Sequence, residues 1–151
     1  MRMMALGLFC VQIACKPPLM EPAQAPKAAR GRTVFLEQPH VIEYRETGPM
    51  FWGERVSADE LRVELGKELV KAGLAVTNDR DQAEFIGQTD VRVDRRVGVL
   101  IFTLSAHDFV IDRHMTRYVV TEEFTSLEYS DVAAALVSSD RFADYVNKNP
   151  R

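Results

Sequence analysis

From Ala83 the chain alternates. Phe85, Thr89, Val91 and Val93 fall on one side of an extended backbone, and Glu84, Gln88, Asp90, Arg92 and Asp94 fall largely on the other. Successive side chains of a strand point to opposite faces, so this pattern predicts a strand that is dry on one face and wet on the other. Arg95 and Arg96 then form a charged turn. The next run, VGVLIFTL over 97–104, is apolar on both faces and belongs in the middle of a sheet. A half-wet strand followed at once by a central one predicts an antiparallel ladder whose dry face needs a cover. Gly87, inside the first strand, predicts a bulge.

Helices supply that cover. Ser57 can cap a helix, and Glu60 three residues on completes a capping box. Leu61, Leu65, Leu69 and Ala72 then recur at helical spacing, with Val63 and Val70 on a flank, and Gly73 fits the position just past the end. A second helix is expected after Ser130 or Asp131, using Val132, Ala135 and Leu136. Ser138-Ser139-Asp140 breaks it before Phe142, Tyr145 and Val146 continue the apolar face.

The remaining segments read as strands and turns. Residues 33–36 and 41–44 make strands interrupted by Pro39, which a sheet tolerates at an edge. Residues 74–77 form a strand closed by the turn formers Asn78, Asp79 and Asp81. Residues 106–112 continue in extended form, and 116–124 make a further strand. The expected architecture is α+β, a two-layer sandwich with a mainly antiparallel sheet and two helices on one face.

Charge is distributed unevenly. Residues after position 32 carry 14 basic against 21 acidic side chains, net −7, whereas the whole chain is only −3. A domain this acidic is a poor nucleic-acid binder. Basic residues and proline crowd the beginning of the chain, where KPPLMEPAQAPKAARGR over 16–32 has no apolar period and reads as a semi-rigid spacer.

The first fifteen residues are MRMMALGLFCVQIAC. Arg2 precedes an apolar run from Met3 to Ala14 broken only by Gln12, the order of a secretory signal and shorter than the roughly 18–20 residues that span a bilayer. The run stops at Ala14-Cys15. Here the chain resembles a bacterial lipoprotein precursor, with Gln12-Ile13-Ala14-Cys15 as its lipobox. Gln12 stands where that family usually has Leu, Val or Ile. The resemblance implies a signal peptide over 1–14, Cys15 as the acylated first residue bearing palmitate among its chains, a tether over 15–32 and a globular domain over 33–151. Lys16, in place of an aspartate, implies the outer membrane, facing the periplasm. The segment from 57 to 94 is also similar to the small periplasmic domains of envelope lipoproteins of the TraT, LptE and lipid-transport auxiliary type. The residues alone leave two other readings of the leader open, a different secretory signal and a buried N-terminal element of an untargeted cytosolic domain.

No catalytic motif is present, and no pattern asks for a cofactor. His107, Asp108, Asp112 and His114 are metal-capable types, but their spacing matches no metal motif, so a solvated strand face is the reading and no metal is assigned. The glycine-flanked triplet Met50, Phe51 and Trp52 is the candidate partner contact, because methionine and aromatics are enriched at interface cores. The alternative is that these three cover an open end of the sandwich. The sequence thus points to a non-enzymatic, lipid-anchored envelope protein whose domain binds a protein or lipid-handling partner. A periplasmic domain that binds or transforms a small ligand on the polar sheet face is the rival.

Overall fold

The computed structural model describes residues 22–44, 57–120 and 125–151. Cys15, Met50, Phe51 and Trp52 lie outside them, as do the signal peptide and the beginning of the tether.

Strands β1 (Thr33–Leu36), β2 (His40–Tyr44), β3 (Ala75–Thr77), β4 (Phe85–Asp94), β5 (Val97–Ala106) and β6 (Phe109–Val119) form one sheet. The order is β3-β1-β4-β5-β6, with β2 also paired to β4. Helices α1 (Ala58–Lys71), α2 (Tyr129–Val137) and α3 (Asp140–Lys148) cover one face. The α+β, two-layer reading therefore holds, and the serine pair splits the C-terminal helix as expected.

The sheet is mixed. The β4–β5 and β5–β6 ladders are antiparallel, but β1–β3, β1–β4 and β2–β4 run parallel. The reasons are topological: α1 is the crossover that lets β3 run parallel to β1, and the turn over 78–84 carries the chain back past the three-residue β3 so that β4 starts in the same direction on the other side of β1. Pro39 does not end the first strand's path. Strands β1 and β2 pair with successive halves of β4, Val34 to Leu36 against Phe85 to Gly87 and His40 to Tyr44 against Asp90 to Asp94.

The core is the interlayer space. Leu61, Leu65 and Leu69 from α1 and Phe142 and Val146 from α3 pack with Phe85, Val91, Val93, Leu100, Phe102 and Leu104, all buried. Ser57 caps α1 as expected, its Oγ accepting from the Glu60 N–H at 3.3 Å. Gly73 follows with φ +99°, a left-handed conformation that glycine adopts without strain.

Three local expectations are corrected. Gly87 is not a bulge: it pairs in register with Leu104, and a Cβ there would lie 2.7 Å from Leu36 Cδ2 and 2.9 Å from Phe102 Cζ, so close packing demands the glycine. The irregularity falls between β5 and β6 at Leu104/Ser105. Residues 106–112 are not one extended segment, because the chain reverses at His107 and Asp108, with His107 at φ +51°. Finally, residues 22–32, assigned to the tether, pack on the domain. Ala25 and Ala29 are buried, the Ala25 N–H donates to the Ala72 carbonyl at 2.7 Å, and the Gly31 N–H donates to the Gly73 carbonyl at 2.8 Å. Alanine side chains let the backbone approach the end of α1, which the proline content alone did not suggest.

Candidate functional site

The residues singled out from the sequence do not converge. Asp112 and His114 share the helix-side face of β6, opposite Leu104 and Phe102, whereas His107 and Asp108 sit in the turn before it. Among the described residues no group of three His, Cys, Asp or Glu is placed to hold a metal. Phe142 and Val146 are core, and Tyr145 stacks on Phe109 with ring centroids 6.1 Å apart.

One concave site does form, and it arises from the flank of α1. Leu61, Leu65, Leu69 and Ala72 point at the sheet, which uses the helix's main apolar stripe. Val63, Gly66 and Val70, spaced i, i+3 and i+7, make a second stripe beside it. Nothing covers that stripe among the described residues, because the sheet ends there with the three-residue β3. Val63 is 54% exposed, Val70 53% and Val76 of β3 38%. The result is a groove of about 480 Å³ between α1 and the sheet edge. Leu36, Val63, Gly66, Val70 and Val76 make its apolar surface, and Thr77 and Asn78 close one side.

The groove's charged rim has one sign. Arg62, Lys67 and Lys71 line it, and no acidic side chain does. Lys67 and Lys71 pair with Glu64 and Glu68 one turn back on the same helix, exposed pairs of small energetic value. Arg62 makes no ion pair among the described residues. The lining contains no histidine, cysteine or carboxylate; its polar groups are the three cations, the Thr77 hydroxyl and the Asn78 amide beside an apolar surface.

The polar face of the sheet is a separate surface. Gln88, Arg92 and Asp94 of β4 face solvent there, with Arg113, Met115 and Arg117 of β6. Met115 is 57% exposed, and Val97 and Val119, paired with each other toward the end of the same face, are half exposed. Neither His107 nor Asp108 lines the groove.

A third cluster is structural. Arg32, 6% exposed, donates from Nε to Glu84 Oε2 at 2.7 Å and from Nη2 to the Asn149 carbonyl at 2.6 Å, with its guanidinium 5.4 Å from the Phe85 ring centre. Arg151 Nε donates to the other Glu84 oxygen at 2.9 Å. The cluster ties the end of α3 to β1 and the start of β4. At the α1–α2 contact, burial pushes the Tyr129 phenol above its ordinary pKa, and the carboxylates of Glu60 and Glu64 add to the shift.

No family model matches the sequence, and no curated protein matches it. Solved structures match by shape. A protein described as a neuraminyllactose-binding hemagglutinin homolog from Helicobacter pylori gives a TM-score of 0.50 at 14% identity, covering 85% of this chain and 96% of that one. The LpoB C-terminal domain from Salmonella enterica gives 0.46 at 10% identity, over 62% and 86% of the two chains. XCC0632 from Xanthomonas campestris, of the DUF330 family, gives 0.45 at 11% identity, over 83% and 86%. The first likeness shows a shared fold. The other two are too distant in shape to carry an argument.

Proposed function

We propose that this protein is a lipid-anchored, non-enzymatic envelope protein whose folded domain binds a protein partner at the periplasmic side of the outer membrane. The observation that carries the binding half is the apolar groove with a basic rim: its lining offers surface to bury and charge to complement, without a nucleophile beside a base. The anchoring half is supported by Arg2, the apolar run and Ile13-Ala14-Cys15, with Lys16 supporting the outer membrane. A firm anchor needs more than one acyl chain, and the net −7 of residues 33–151 gives the domain little attraction of its own for an anionic bilayer. Met50, Phe51 and Trp52 remain proposed as a further partner contact.

The small-ligand rival placed its site on the polar sheet face, whereas the groove lies on the helix side at the sheet's edge. Mass spectrometry of membranes from cells expressing the full chain tests the anchor. The expected product begins at Cys15 and carries acyl mass, and Cys15→Ala moves the protein to the soluble fraction. An intact Met1 without acyl mass would sink the claim. Photo-crosslinking from Phe51 or Trp52 in intact cells is expected to trap an envelope protein.

A further inference from the structure

The groove and the strand edge beside it form one site. Among the described residues β3 is the last strand on its side of the sheet. The Ala75 N–H donates to the Arg32 carbonyl at 2.9 Å, toward the β1 side. Neighbouring residues of a strand turn their peptide groups to opposite sides, so Val76 presents its N–H and C=O to the side where no strand pairs among the described residues. A further strand laid along that side would direct every second side chain toward the helix layer. Val63, Gly66 and Val70 wait there, across the 480 Å³ groove. The groove has the position and apolar lining that the side chains of one more strand require.

We infer that this edge takes up an extended segment of the partner protein by strand addition. Apolar side chains of that segment fill the groove, and flanking acidic side chains meet Arg62, Lys67 and Lys71. Charge decides between occupants. A second copy docked edge to edge would bring the three cations toward their own twins, whereas an acidic segment complements them. An acyl chain would fill the groove but leave the Val76 peptide groups unpaired, and an extended peptide satisfies them. Glu64 and Glu68 already compete for the two lysines, so Arg62 is the cation with most to gain.

This inference rests on the partner-binding reading, and its test is independent of acylation at Cys15. The probe is a synthetic peptide whose same-face residues are two valines flanked by glutamates, added to the detergent-solubilised full chain. Binding is followed by fluorescence anisotropy, and amide exchange is read at Val76. The expected results are saturable binding, slowed exchange of the Val76 amide, and affinity about tenfold lower for the lysine-flanked peptide and for one with alternate amides N-methylated. Arg62→Glu and Val70→Glu are expected to weaken binding by about tenfold or more while leaving the thermal midpoint in place, since both side chains lie outside the core. Equal binding of the N-methylated peptide, displacement by oleate, indifference to both variants, or no binding at all would each overturn the inference. Oleate displacement would assign the groove to a lipid chain. If the peptide fails while Cys15 is acylated, strand addition is lost and the anchored-envelope reading stands.

Discussion

The Tyr118 ring packs directly against Gly98. The two are directly paired between β5 and β6, and a Cβ built on Gly98 would overlap the Tyr118 ring. The glycine therefore makes room for the aromatic, which covers the bare backbone of β5 at this pair. Gly98→Ala is expected to destabilise the domain by about 1–3 kcal/mol, the usual cost of forcing atoms into a filled site. Thermal melts would show it, and an unchanged midpoint would mean that the ring can swing away freely.

Two other glycines predict opposite signs. A Cβ on Gly66 would lie 3.5 Å from Leu36 Cδ1, an ordinary contact, and Gly66 sits inside α1. Gly66→Ala should therefore stabilise by about 0.5–1 kcal/mol, through helix propensity and a less flexible unfolded chain. At Gly87 the Cβ would meet both Leu36 and Phe102 closer than 3 Å, so Gly87→Ala should cost about 1–3 kcal/mol. Chemical denaturation of both variants measures the contrast.

Arg32 joins two groups that one ammonium cannot reach together. Arg32→Ala is expected to cost about 2–3 kcal/mol, below the range for a wholly buried pair because Glu84 is a third exposed and keeps Arg151. Arg32→Lys should recover little of it, since the planar guanidinium bridges Glu84 Oε2 and the Asn149 carbonyl while packing on Phe85. A melt of Arg32→Lys that matches the parent would refute this role.

Tyr129 predicts an alkaline limit. The folded state holds the phenol proton to higher pH than the unfolded state, whose tyrosine releases it near 10. The folded state then binds more protons across that window, so stability falls as pH rises through it. Below the unfolded value the contribution is complete. Tyr129→Phe should flatten the decline above pH 10 and leave stability near neutrality within a fraction of a kcal/mol, read from urea midpoints at a series of pH values.

Much of the fold was legible because local signals were strong. The alternation from Phe85 to Val93, the Ser57 cap and the Gly73 terminus each concern atoms near one another in sequence. The hairpin at His107 was not legible: its turn uses a left-handed histidine rather than a glycine or asparagine. The groove was half legible. Val63 and Val70 stood out as a flank of the helix, but whether a flank is buried depends on how far the sheet extends beneath it.

By itself, then, the sequence determined the two-layer class, the order of helices and strands, and which face of β4 is dry. Side-chain period and capping are set by nearest neighbours along the chain, and burial follows from them. Only the tertiary structure decided that β1, β2 and β3 run parallel to their neighbours, that Ala25 and Ala29 join the core, and that, among the described residues, no strand lies beyond β3 beneath α1's outer flank. Those outcomes depend on contacts between residues tens of positions apart, where chain direction and shape complementarity choose among arrangements that local pattern leaves equal in energy.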